Sequence, residues 1–330
     1  MPTNTPNDAG RPTLCKPLVG RRARELIYSF GIQRAFESQL GFLQWRRPSG
    51  PPLWTAAARR VLIVQTHTHD LTFTDAEVRK RYVTWDRGEA EREWRCLTVL
   101  ADHAPGVAPR PLRRETVHGA PVVVMERLPG TPLGGTPLTP PQTASLGRGL
   151  HRLYSVPLDA IREVGITERL YGPTTLPDSL RGWLTDSYDL SECQNPDLVR
   201  TAIDEVVAWL AKPDALPPSK LVALGISDLN PANLIWDGTT CRLVDFEDGG
   251  LTDPAYELAD HVEHLAGRLG RVFNPDALIH AVGLSEADRD RMQAYRPLWA
   301  VFWLVMLLPG NGGFRRNPPG TTEAQATHLT

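Results

Sequence analysis

The sequence predicts an α+β protein of two lobes, a small β-rich lobe followed by a larger α-rich one. Three observations carry this. Up to about residue 128, short apolar runs bounded by turn residues surround one amphipathic helical stretch. After Leu133, helical patterns dominate and are interrupted by one apolar hairpin, Leu234 to Phe246. Between them lies a Pro/Gly-rich joint, "PGTPLGG", at 129–135. With 330 residues, 41% of them hydrophobic, the chain can bury a sizeable core.

Residues 1–18 are rich in Pro, Asn, Thr and Gly and read as a flexible arm. Residues 19–128 form the predicted N-terminal lobe. It opens with one or two extra helices over 21–43, where Leu26, Ile27, Phe30, Phe36, Leu40 and Leu43 recur at roughly helical spacing and Gly31 marks a break. "RRPSGPPLW" interrupts. A strand follows over Val61–Gln65, then a turn, then one or two strands ending at Val83. "GEAEREWRCLTVLADHA" is a helix with Trp94, Leu97 and Leu100 on one face. The connector "APRPL" leads to a polar turn at His118-Gly119, and "PVVVMERLPG" is a buried strand ending in a turn.

Residues 129–330 form the predicted C-terminal lobe. "PPQTASLGRGLHRLYSVP", much of 179–211 and 254–267 read as helices, and the hairpin turns at Asp237-Gly238. "LWAVFWLVMLL", Leu298 to Leu308, lies between Pro297 and Pro309. It falls short of the about 20 residues that cross a bilayer, so it reads as a buried helix, with a pocket wall as the lesser alternative.

Composition removes several functions. A net charge of -2 argues against a nucleic-acid binder, which carries a basic surplus. Four scattered cysteines without a CxxC pair give neither a zinc site nor a disulfide framework, and point to reduced thiols. The start, "MPTNTPNDAGRPT", lacks the charged and apolar segments of a signal peptide. The expectation is a cytoplasmic protein, monomer or homodimer, without a nucleic-acid or membrane partner.

Chemistry concentrates in "SDLNPANLIWDG…CRLVDFEDGG". Phosphoryl transfer from ATP requires a lysine on the phosphates, an acid to hold that lysine, Mg²⁺ ligands, and a carboxylate to orient the attacking hydroxyl. Asp228, Asn233 and Asp245 can supply the last two requirements. The D-x-x-x-x-N spacing puts Asp228 and Asn233 on one loop. The following hairpin returns Asp245 to Asn233, where an amide and a carboxylate oxygen suit one Mg²⁺. The competing reading is a capped, solvated turn, since "SDLNP" is good turn chemistry by itself.

These segments resemble the aminoglycoside phosphotransferase and choline kinase family of kinase-like small-molecule phosphotransferases. The resemblance spans roughly residues 60–310 and is strongest over 228–260. It implies a two-lobed protein-kinase-like fold, with Asp228 as catalytic base and Asn233 and Asp245 as Mg²⁺ ligands. It also implies Lys80 of "EVRKRY" on the phosphates, Glu93 of "EREWRCLTVL" as its partner, and the base of the nucleotide against backbone groups from Glu126 to Leu128. "LGRGLHRLYSVP" resembles the helix that precedes the catalytic region. The implied cofactors are ATP, with GTP as alternative, and Mg²⁺.

The chain departs from the family at Ile226, where a histidine that braces the loop usually stands. It reads Asp-Phe-Glu where protein kinases read Asp-Phe-Gly, which fits a small-molecule kinase. It has no G-x-G-x-x-G. The corresponding turn is "QTHTHD", where Thr66, Thr68 or backbone N–H groups would touch phosphate.

Arg79 and Arg81 compete with Lys80, and Glu89 and Glu91 with Glu93. The His67-x-His69 pair reads as an ordinary turn rather than a metal site. The acids Glu247, Asp248, Asp253, Glu257, Asp260 and Glu263 either start and cap a helix or face the cleft and attract a cationic acceptor. On the second reading Glu247, Asp248 and Glu257 are candidate substrate residues. The acceptor expected is the hydroxyl of an aminoglycoside or related antibiotic, a reaction of resistance or self-protection. The alternatives are a metabolite kinase acting on choline, homoserine or a sugar, and a weakly active pseudokinase.

Overall fold

A computed structural model of the chain describes residues 62–65, 69–185 and 187–330. The expected arm, the helices over 21–43, and Thr66, His67 and Thr68 lie outside the described residues. In the first lobe β1 (Leu62–Gln65), β2 (His69–Phe73) and β3 (Glu77–Tyr82) lead to helix α1 (Glu89–His103), and β4 (Pro111–Val117) and β5 (Ala120–Glu126) follow. The strands form one antiparallel sheet in the order β1-β2-β3-β5-β4. β4 is an addition to the strands the sequence predicts. It carries Arg113, Arg114 and Thr116 on exposed ground at the sheet edge, so it lacks the apolar alternation that marks a half-buried strand.

Helix α1 lies against this sheet. It buries Glu93, Cys96, Leu97, Val99 and Leu100, and the leucines stand clear of solvent beside Val123 and Met125 of β5. Burying one such side chain contributes about 1.5–3 kcal/mol.

The chain crosses between lobes at Arg127 to Gly130, and β6 (Thr131–Pro132) already belongs to a second small sheet. Gly130 sits at φ +113°, and a Cβ there would lie 2.3 Å from the carbonyl oxygen of Trp236, so the crossing requires glycine. Helices α2 (Pro140–Tyr154), α3 (Leu158–Glu163), α4 (Leu176–Leu184) and α5 (Pro196–Leu210) follow. Next come β7 (Ala223–Gly225), a 3-10 turn (Pro231–Asn233), β8 (Leu234–Trp236), β9 (Cys241–Leu243) and β10 (Gly250–Thr252). The chain closes with α6 (Pro254–Glu263), α7 (Leu265–Leu269), α8 (Pro275–Val282), α9 (Glu286–Met306), α10 (Gly312–Arg316) and α11 (Thr321–Leu329). β8 pairs with β6 and β9, while β10 pairs with β7. This is the two-lobed α+β architecture that the sequence predicts.

Two boundaries differ from expectation. The buried helix runs from Glu286, not from Pro297, and carries that proline in its interior. Interior proline costs about 3 kcal/mol. Burial of Leu298 through Met306 on every side outweighs this, and the Ser285 hydroxyl caps the start by accepting from Asp288 N–H at 3.1 Å. The hairpin's second strand ends at Leu243 rather than at Asp245. Asp245 itself has φ +75°, a left-handed conformation outside any strand. Among the described residues no helix is long and apolar enough to cross a membrane.

Candidate active site

The loop from Ser227 to Asn233 is folded by its own side chains. The Asp228 carboxylate Oδ1 accepts from Asn230 N–H at 3.0 Å, and the Asn230 side chain accepts from Ala232 N–H at 3.0 Å. Asn233 donates through Nδ2 to the Asp228 carbonyl at 3.2 Å. The capped-turn chemistry is therefore present. It is used to bury Asn230 and Asn233 and leave Asp228 partly exposed.

The chain braces this loop without a histidine at 226. Ile226 is fully buried in the core. Ser227 takes φ +74° and is held from both sides: its N–H donates to Glu257 Oε1 at 2.8 Å, and its hydroxyl accepts from Arg169 Nη2 at 2.7 Å. Arg169 also donates to Glu257 and, at 2.6 Å, to Asp260. Burial works against its charge, but the two carboxylates hold the guanidinium above its ordinary value. Gly225 lets Glu257 approach, since a Cβ there would lie 2.5 Å from that carboxylate.

A second cluster joins the lobes. Lys80 Nζ lies 2.7 Å from Glu93 Oε2, 2.5 Å from Asp245 Oδ1 and 3.0 Å from Glu247 Oε2. Tyr82, two residues along β3 and so on the same face, also donates to Glu93. Arg79 and Arg81, on either side of Lys80, point the other way and pair with Glu115 and Asp70. Of the competing acids, Glu89 is bound to Arg87, and Glu91 is exposed beside Arg95 and Arg114. Burial disfavours the Lys80 ammonium, yet Asp245, Glu247 and Glu93 together hold it well above its ordinary value. Burial pushes the Glu247 carboxyl well up, with Lys80 opposing.

Glu93, Asp245 and Glu247 offer carboxylate oxygens within 4.8 Å of one another. The Asn233 carbonyl accepts from Val244 N–H at 3.0 Å, which ties the loop to the residue before Asp245. Carboxylate and amide oxygens are the donors a hard divalent cation takes, so Asp245, Asn233 and Glu247 fit Mg²⁺.

Residues of this loop and hairpin line two cavities. One, of about 270 Å³, holds Lys80, Glu93, Asn233 and Asp245 at one end and apolar walls, including Val78, Met125 and Ile235, beyond them. Leu128 and Glu126 line it, but the Glu126 N–H is already given to the Arg110 carbonyl at 2.9 Å, and the Arg127 N–H to Ala76 at 2.8 Å. The Glu126 side chain pairs with Arg110 at 2.7 Å. A main-chain donor for a bound base must therefore come from beyond Arg127, and Leu128 is the next residue. The N–H and the side chain of Glu126 are thus both engaged, while Glu126 and Leu128 still line the cavity.

The other cavity, of about 50 Å³, contains Asp228 and Asp248 against a wall of Tyr171, Trp299, Phe302 and Trp303. Part of the apolar 298–308 run thus lines a pocket besides packing the core.

The acidic series divides accordingly. Glu257 is fully buried and saturated by Arg169 and Ser227, so its expected place facing a substrate is corrected to a brace under the loop. Glu247 belongs to the lysine cluster rather than to the acceptor side. Asp253 caps α6, and Glu263 holds Arg296 and His328. Asp248 alone of the three candidates shares the cavity of Asp228, with Arg87 at 3.5 Å. Sequence reasoning missed Arg169, in an irregular stretch with no periodicity. It also missed His264, whose Nε2 lies 2.9 Å from Asp228 Oδ1.

The model of the phosphotransferase enzyme family (APH) matches residues 51–295. The chain belongs to this family. Its members and its structural relatives are small-molecule kinases that act on hydroxyl groups, and the chain is a kinase-like phosphotransferase of that kind. A choline/ethanolamine kinase family protein from Mesorhizobium loti is 18% identical, with a TM-score of 0.53 over 82% of this chain and 86% of that one. Plasmodium vivax ethanolamine kinase is 18% identical, with a TM-score of 0.54 over 82% and 81%. The aminoglycoside phosphotransferase APH(4)-Ia, in ternary complex with AMP-PNP and hygromycin B, is 16% identical, with a TM-score of 0.55 over 82% and 92%. Each of these likenesses establishes the kinase-like fold. No curated protein sequence matches.

Proposed function

We propose that this phosphotransferase transfers the γ-phosphoryl group of ATP to a hydroxyl of a small cationic molecule, with Asp228 as the base. The observation that carries this reading is that one loop and its hairpin line two cavities, with Lys80, Asn233 and Asp245 in the larger and Asp228 in the smaller. In the larger cavity Lys80 holds the phosphates and Glu93 holds Lys80. The apolar walls take the base, with the Leu128 main chain as its polar contact. Asp245, Asn233 and Glu247 would hold Mg²⁺, which neutralises phosphate charge when bound. In the smaller cavity the Asp228 carboxylate accepts the proton of the acceptor hydroxyl. As it does so, the acceptor oxygen bonds to the γ-phosphorus and the bond to the β,γ-bridging oxygen breaks, leaving ADP. A positioned base of this kind contributes about 10²–10⁴-fold. The reaction belongs in the cytoplasm, where ATP is supplied.

The acceptor cavity favours a compact cation. Its aromatic walls suit an ammonium group, as does Asp248. A small amino alcohol of the choline or ethanolamine type fits this whole. The second reading is an antibiotic that inserts one amino-sugar ring beside Asp248, as expected from the sequence. It loses weight because Glu247 and Glu257 are engaged elsewhere. A panel of amino alcohols, aminoglycosides, macrolides and homoserine, scored by mass spectrometry for a phosphorylated product, tests the proposal. A phosphorylated amino alcohol supports it. A product only with amino-sugar antibiotics replaces the first reading by the second. Nucleotide binding with no product across the panel favours a pseudokinase.

A further inference from the structure

We infer that His264 is a positioning residue for Asp228. It acts on the Asp228 side chain, apart from the Arg169–Glu257 brace on the loop backbone. The inference rests on the proposed role of Asp228 as base.

His264 sits between α6 and α7 with an extended backbone, φ -55° and ψ 122°, which turns its side chain back toward the catalytic loop. The side chain is 4% exposed. Its ring meets Trp303 edge-on, with centroids 4.8 Å apart at 77°. Its Nε2 reaches Asp228 Oδ1 at 2.9 Å. A carboxylate oxygen only accepts, so in the arrangement inferred here a protonated Nε2 is the donor across this 2.9 Å pair. The Asn230 N–H, at 3.0 Å, also donates to Oδ1. Two donors from different parts of the chain therefore fall on one oxygen of the catalytic carboxylate. They fix the plane of that carboxylate and leave Oδ2 as the oxygen that receives the hydroxyl proton.

The two braces have separate tasks. Arg169 and Glu257 hold the backbone at Ser227. His264 holds the side chain of Asp228 itself. A carboxylate held this way starts in the reactive rotamer, and a misplaced one would lower turnover more than binding. The Trp303 ring fixes His264 in turn, so the wall of the acceptor cavity and the base are mechanically joined through one imidazole.

The test compares His264→Phe, His264→Gln and Asp228→Asn in the full chain, with the best acceptor of the panel. His264→Phe keeps a ring against Trp303 and removes the donor. His264→Gln restores an N–H near the position of Nε2. The expected result is a fall in kcat of about 10- to 100-fold for His264→Phe, the range set by one hydrogen bond to a charged group. KM for ATP should stay within about twofold and the melting temperature should stay close to the parent's, while His264→Gln recovers most of kcat. Wild-type kcat in His264→Phe overturns the inference. So does equal loss in Phe and Gln, which would mark a packing role. Full activity in Asp228→Asn instead removes the reading of Asp228 as base, a different failure that the same series separates.

Discussion

Lys80 Nζ and Asp245 Oδ1 stand 2.5 Å apart, joining residues 165 positions apart in the chain and the two lobes of the molecule. Glu93 and Glu247 complete the shell around the same ammonium. One cation thus offsets two buried carboxylates and a partly buried third, and its removal has two consequences. Lys80→Met is expected to lose at least about 100-fold in kcat/KM, since phosphate positioning and the order of Asp245 go together. It is also expected to lose about 3 kcal/mol of stability, the scale of breaking a buried pair. Steady-state kinetics and urea unfolding measure the two. Arg79→Ala, whose half-exposed pair with Glu115 lies on the other sheet face, should change stability by less than about 1 kcal/mol.

The brace under the loop from Ser227 to Asn233 should be intolerant of a lysine. Arg169 serves Glu257, Asp260 and the Ser227 hydroxyl from one planar fork, and it stacks 5.0 Å from the Trp299 ring. An ammonium cannot satisfy these together. Arg169→Lys is expected to cost about 2–4 kcal/mol in urea unfolding and to lower activity, because Ser227 then loses one of the contacts that hold its positive φ.

Acid should destabilise the protein through His261. The side chain is fully buried next to Glu257, Arg169 and His264, and burial lowers its pKa from 6.5 to about 4. Between those values the unfolded chain binds the proton that the folded chain refuses. The contribution is therefore fully present above about pH 6.5 and is lost as pH falls toward 4, to a limit of about 3 kcal/mol. Urea unfolding at pH 7 and pH 5 should show a larger drop for the parent than for His261→Gln.

Asp248 should decide charge preference at the acceptor. Asp248→Asn is expected to raise KM for cationic acceptors about 10-fold and to leave neutral acceptors within about twofold, with KM for ATP unchanged. Initial rates on paired charged and neutral acceptors measure it. Equal effects on both would assign Asp248 to holding Arg87 instead.

Much of this site could be read from the chain because its parts are local. Asp228, Asn233 and the hairpin that carries the chain to Asp245 lie within one short stretch, and turn chemistry fixes their relation. Lys80 and Glu93 were identified by resemblance, and the β3 period of two separates Lys80 from Arg79 and Arg81 in space. What could not be read is tertiary. Glu257 has the look of a first-turn helix acid, and only Arg169, 88 residues away, reveals it as a buried brace. His264 follows an acidic helix with no period to flag it, and its partner is Asp228, 36 residues earlier in the chain. Strand β4 escaped notice because its polar residues face outward at a sheet edge. Pro297 misled because a local rule yields to burial all around the helix.

The most direct test of the central claim is the rate of ADP release from Mg²⁺-ATP with an acceptor that yields phosphorylated product, in the parent and in Asp228→Asn. Acceptor-dependent turnover is expected in the parent, with a fall of about 10²-fold or more in kcat for Asp228→Asn and ATP affinity retained, because Lys80 and Asp245 lie in the other cavity. Acceptor-dependent turnover that survives Asp228→Asn at the parental rate would contradict it.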